Sequence, residues 1–120
     1  MRQYPVSPQA TVKLSASGSG QVSLTPPSGV LWQLSLASVS IQNPVLIPQV
    51  FLSIGNSNGP IQLIDSSYAG ASASSGKVAG IPFYPGTYLW AAWTGADASV
   101  TATLQLFGVA VTGYRKRGAA

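Results

Sequence analysis

Apolar and polar residues alternate by twos along most of this chain, the spacing of strands with one buried and one wetted face. Val12, Leu14 and Ala16 oppose Thr11, Lys13 and Ser15 in a first strand. Gly18-Ser19-Gly20 turns the chain, and Val22 and Leu24 resume the alternation until Pro26-Pro27-Ser28-Gly29 stops it. The longest run, 30 to 42, changes phase within itself. Val30, Trp32, Leu34 and Leu36 are apolar at even positions, then Ala37, Val39 and Ile41 at odd ones. A helix is disfavoured there, because Ser35, Ser38, Ser40, Val39 and Ile41 are poor helix formers and the polar positions do not gather on one side. The pattern predicts one long strand with a bulge or bend near Leu36-Ala37, a device by which a strand turns a sandwich corner.

Asn43-Pro44 and Pro48 bracket a short irregular link. A strand over 50 to 55 follows, then a turn over 56 to 60 in which Asn58-Gly59 is the sharpest hairpin signal, then a partner strand over 61 to 65. Residues 69 to 80 are Gly, Ala and Ser apart from Lys77 and Val78, which predicts a mobile surface loop. Residues 86 to 108 read as the central hairpin. In its first run Tyr88, Trp90 and Ala92 share one face and Leu89, Ala91 and Trp93 the other. The connector over 94 to 98 offers Gly95 and Asp97 for a reversal. In the second run Val100, Ala102, Leu104 and Leu106 oppose Thr101, Thr103 and Gln105, with a further phase shift near Phe107-Gly108 before Val109 to Val111. The sum is about eight strands with no helix, an all-β antiparallel β-sandwich of jelly-roll topology.

Composition narrows the chemistry. The 120 residues include no cysteine and no histidine, which removes thiolate and imidazole nucleophiles, bases and metal ligands. Asp65 and Asp97 are the only side-chain carboxylates, each beside turn residues and each with a local role as a backbone acceptor. Neither a two-carboxylate glycosidase nor a Ca²⁺ site is well provided for by them. The expectation is a protein with no catalytic residues, no cofactor and no metal.

Only 7% of residues are charged, against roughly 25% in an average domain, so Ser, Thr, Gln and Asn supply most of the wetted surface. Of the net charge of +4, Arg2, Arg115, Lys116 and Arg117 sit at the two ends, while Lys13 and Lys77 balance the two aspartates. A nearly neutral body favours association, which a permanently assembled subunit tolerates. No apolar run reaches the roughly 18 residues of a membrane span, and the first residues have no apolar stretch of a signal peptide behind Arg2.

Three segments follow: residues 1 to 10, containing Pro5 and Pro8, as an extended arm or else an edge segment laid on the chain's own sheet, a sandwich over 11 to 113, and a basic tail over 114 to 120. The arm, with Arg2 and Tyr4, and the tail, with Tyr114, Arg115, Lys116 and Arg117, are candidate partner-binding elements. The tail has too few cations for a nucleic-acid domain, whose basic stripe crosses the folded body. Among the large aromatics, Trp32 and Trp90 are expected in the core. Trp93 is expected outside it, stacking on a sugar or anchoring a subunit interface.

Several short motifs carry a resemblance: Gly-Val-Leu-Trp-Gln-Leu at 29 to 34, Ser-Val-Ser-Ile-Gln at 38 to 42, Leu-Ile-Asp-Ser-Ser at 63 to 67, and Leu-Trp-Ala-Ala-Trp-Thr-Gly-Ala at 89 to 96 followed by Ala-Thr-Leu-Gln-Leu-Phe-Gly. In their order the chain resembles small β-sandwich virion proteins of tailed actinobacterial phages, over residues 22 to 113. The resemblance implies a structural role in the virion without catalysis. The expected protein is a homo-oligomer, a trimer as first guess, made in the host cytoplasm and cemented to the major capsid protein on the outside of the head. The alternatives are a minor tail protein contacting another virion protein, or a carbohydrate-binding module for a host surface glycan.

Overall fold

A computed structural model describes residues 2–42, 44–68 and 71–113. Ten strands run in chain order: β1 Arg2–Val6, β2 Gln9–Lys13, β3 Gly20–Leu24, β4 Val30–Ile41, β5 Gln49–Asn56, β6 Gly59–Ser67, β7 Ser72–Ser75, β8 Pro82–Phe83, β9 Tyr88–Thr94 and β10 Thr101–Thr112. They form two antiparallel sheets. In the first, β1 and β2 lie end to end along one flank of β10, β4 follows, and β7 and β8 share the far flank of β4. The second has the order β3-β9-β5-β6. Two positions are each filled by a pair of short strands, so four positions face four. Among the described residues only β5 and β6 form a hairpin between consecutive strands of different positions, closed by Asn56 opposite Gly59. Every other step between positions crosses from one sheet to the other, and the fold is a jelly roll.

That topology corrects three expectations. Residues 86 to 108 do not make a hairpin, because β9 is central to the second sheet and β10 to the first. The 94 to 98 connector is therefore a corner between sheets. From Arg2 onward the expected N-terminal arm is an edge strand: Arg2 to Val6 pair with Thr112 to Gly108, and Gln9 to Lys13 with Gln105 to Thr101. Ser7-Pro8 interrupts this edge, and the Pro8 carbonyl still accepts the Leu106 amide at 2.9 Å. Pro5 is tolerated because an edge strand has one side without a ladder partner. The expected loop over 69 to 80 contains β7, paired with Ala37 to Ser40, and beyond it a turn whose Val78 is fully buried. Small side chains do not prevent backbone pairing at an edge.

The phase change within 30 to 42 has a specific cause. Leu34 lies opposite Gly108 and Leu36 opposite Phe107, so Ser35 is an extra residue in β4. This is a β-bulge, and β4 stays in one sheet throughout instead of turning a corner. The Ser35 hydroxyl donates to the Phe107 carbonyl at 3.1 Å. Position 108 must be glycine, since a Cβ there would lie 2.4 Å from the Gln33 carbonyl oxygen and 2.7 Å from the Leu34 Cα. Because of the bulge, Trp32 and Leu34 point into the core together with Ala37, Val39 and Ile41. Across the ladder Ala102, Leu104, Leu106 and Ala110 keep a single parity and are fully buried. The second sheet contributes Val50, Leu52, Leu89, Ala91 and Trp93 to the same core. Among the described residues no buried side-chain nitrogen or oxygen lacks a hydrogen-bond partner.

Candidate interaction surfaces

Four loops close one end of the sandwich, those joining β2 to β3, β4 to β5, β6 to β7 and β9 to β10. They are tied to one another. The Ala96 amide donates to the Gly18 carbonyl at 3.0 Å, and Gly18, at φ 76°, leaves no room for a Cβ against the backbone of Ala96. Ile41 and Gln42 amides donate to Ala71 and Thr101 carbonyls, each at 3.0 Å.

The β4–β5 loop carries the conspicuous chemistry. Its sequence Pro-Val-Leu-Ile-Pro over 44 to 48 leaves Val45 85%, Leu46 53% and Ile47 71% exposed. Three consecutive aliphatic side chains in water run against the hydrophobic effect, so they need another explanation than folding. The loop is also held in shape. A single carboxylate oxygen, Asp97 Oδ2, accepts the amides of Val45 at 2.8 Å and Leu46 at 3.0 Å, and Pro48 is fully buried at the loop's base. Pro44 and Pro48 restrict the backbone on both sides. Tyr68, 80% exposed, leaves β6 at the same end, one residue past the pairing of Ser67 with Val50. Asp97 was expected to act within its own turn; its partners lie 51 and 52 residues away.

A second surface lies on the outer face of the second sheet. Parity in β9 puts Leu89, Ala91 and Trp93 inward and Tyr88, Trp90 and Ala92 outward. The expected places of the two tryptophans are thus reversed. Trp93 is 1% exposed and belongs to the core, which corrects its assignment as a partner-binding residue. It sits opposite Gly20 and Val50 in the two flanking strands. Trp90 is partly exposed outside, its Nε1 donating to the Asn56 carbonyl at 3.0 Å. Ile61, 74% exposed, and Leu63, 56% exposed, stand on the neighbouring edge strand β6.

The two aspartates do not share a cleft. Asp65 lies where the open edges of the sheets meet, and its Oδ2 accepts the Ser75 hydroxyl of β7 at 2.6 Å. Its Oδ1 accepts the Ser66 amide at 2.9 Å and pairs with Lys77 Nζ at 3.6 Å. The Ser75 hydrogen bond is the main reason its carboxyl is held below the ordinary value, with the Ser66 amide and Lys77 adding to it and burial opposing. The recess beside it, lined by Ala37, Val39, Leu52 and Ala73, measures about 20 Å³, the size of one water. Asp65 therefore fastens one sheet edge to the other, a structural role. Among the described residues no group of three or more acidic or other metal-ligating side chains comes together.

Of the other candidate residues, Arg2 and Tyr4 are exposed on β1, the guanidinium 5.9 Å from the Tyr4 ring centroid. Tyr114, Arg115, Lys116 and Arg117 lie outside the described residues. Sequence reasoning missed Val45, Leu46 and Ile47; the signal was an aliphatic triplet between two prolines, too short to read as a strand. Comparison with protein-family models and with curated proteins finds no match.

Proposed function

We propose that this protein is a non-enzymatic structural subunit of a phage particle, a homo-oligomer that decorates and cements the outside of the head. The observation that carries the reading is the clamped apolar loop. Burying Val45, Leu46 and Ile47 against a neighbour would return about 1.5–3 kcal/mol for each side chain fully covered. Because Asp97 already holds the loop, little ordering entropy opposes that gain. The docking role expected of the arm passes to this loop, since the arm is part of the first sheet. The nearly neutral surface and the motif resemblance to small virion proteins agree with it, and the jelly roll is a fold that viral coat proteins use among others.

The test is retention on particles, or on purified coat-protein assemblies, across a salt series. Leu46→Ser and Ile47→Ser should each weaken attachment about tenfold, a loss of roughly 1.4 kcal/mol, while leaving the melting temperature unchanged. Contact through apolar groups should also survive high salt, whereas attachment through exposed cations would be screened within about 8 Å at physiological ionic strength. Parental retention of both variants would overturn the role of the loop. Light scattering on the same proteins reports whether the loop joins copies of the chain to each other or to a different coat protein.

A further inference from the structure

The outer face of the second sheet carries a flat aromatic surface that the apolar loop does not use. Trp90 projects from β9 level with Ser53 of β5, yet its Nε1 reaches the carbonyl of Asn56, three residues further along that strand. The indole therefore lies along β5 and does not stand away from the sheet. Beneath its path the side chains are small: Ser53 is 8% exposed and Gly55 is buried. Tyr88, level with Gly55, extends the surface, its ring centroid 6.3 Å from that of Trp90 and its plane inclined by only 28°. On the flanking strand Ser23 is level with Trp90 and Gln21 with Ala92. No charge lies on this face among the described residues. Arg2 and Lys13 belong to the first sheet, Lys77 and Asp97 to loops, and Asp65 is turned to Ser75.

We infer that Tyr88 and Trp90 form a binding platform for a neutral hexopyranose unit of an oligosaccharide. The C–H face of a pyranose carries slight positive charge and is flat, which suits the negative face of an immobilised aromatic ring. Ser23, level with Trp90 on the flanking strand, supplies a hydroxyl that both donates and accepts, as sugar hydroxyls require. A proline-rich segment also stacks on aromatic rings, but it brings backbone carbonyls that need donors. The indole N–H, the donor on the ring itself, is already given to the Asn56 carbonyl and is not available to such a segment. A charged ligand finds no counter-charge here. The inference is independent of attachment through the apolar loop.

The experiment is calorimetric titration of the full chain with soluble neutral oligosaccharides in separate series of gluco-, manno-, galacto- and N-acetylglucosamine oligomers. At least one series should saturate with a Kd on the order of 0.1–1 mM. Trp90→Ala should weaken it at least about tenfold. Ser23→Arg keeps both rings and places a long charged side chain beside Trp90, at the edge of the platform. It should weaken binding comparably with an unchanged melting temperature, which separates loss of the site from loss of the fold. Leu46→Ser should bind sugar like the parent. The inference falls if no series binds at about 10 mM, if Ser23→Arg binds like the parent, or if a proline-rich peptide saturates where the sugars do not.

Discussion

Replacing Asp97 by alanine tests how the apolar loop is held. The substitution removes one oxygen that accepts two amides, those of Val45 and Leu46 at 2.8 and 3.0 Å. A hydrogen bond to a charged acceptor contributes about 1.5–3 kcal/mol when well shielded. Here the carboxylate is partly exposed, and both amides regain water on release, so the two bonds together are expected to contribute about 1–2 kcal/mol. For a chain of this length that corresponds to a fall in melting temperature of about 3–10 °C. The sharper readout is amide hydrogen exchange. Val45 and Leu46 lie in a solvent-facing loop, and without the carboxylate their exchange should quicken about tenfold, tenfold being 1.4 kcal/mol of local opening. Amides of β4 and β10 should exchange as before. Asp97→Asn, which keeps an acceptor oxygen without the charge, should fall between parent and alanine variant. If both amides exchange equally fast in the parent and in Asp97→Ala, the carboxylate does not order the loop, and the pre-organisation argument for docking fails with it.

Two further expectations concern the frame. Leu104 is fully buried in the middle of β10 and Thr103 half-buried on the opposite face, so Leu104→Ala should cost about 2–5 kcal/mol in urea unfolding and Thr103→Ala under about 1 kcal/mol; the reverse ranking would refute the register of β10. Asp65 contributes stability that is present above its ordinary carboxylate value of 3.8 and is lost as pH falls through the lowered value of the folded state. Melting temperature measured between about pH 2 and pH 6 should therefore drop more steeply for the parent than for Asp65→Asn; parallel curves would mean that the Ser75 contact does not distinguish the charged form.

Alternation is a property of a strand's own residues, and it was legible wherever one face is dry. Val22 and Leu24, Val39 and Ile41, and Leu104 and Leu106 face the core as their spacing requires. The bulge in β4 was visible to within two residues, because an inserted Ser35 reverses the parity of everything after it. Parity could not say which side of β9 is dry, since Tyr88-Trp90-Ala92 and Leu89-Ala91-Trp93 are equally apolar sets. The core shared with Trp32, Leu34 and Leu104 of the first sheet decides it, and β9 reaches that core only through pairings made by strands distant in sequence. The same holds for the edges. Whether Arg2 to Val6 swings free or joins β10 depends on an unpaired flank that exists only once the sheet has formed. Asp97, read alone, is a turn residue; its hold on Val45 and Leu46 arises because the jelly roll brings the β4–β5 and β9–β10 loops to one end. Local spacing thus determined the strands and most of their faces, while strand partners, the dry side of β9 and the clamped loop were decided by contacts between residues far apart in the chain, whose energy no local pattern contains.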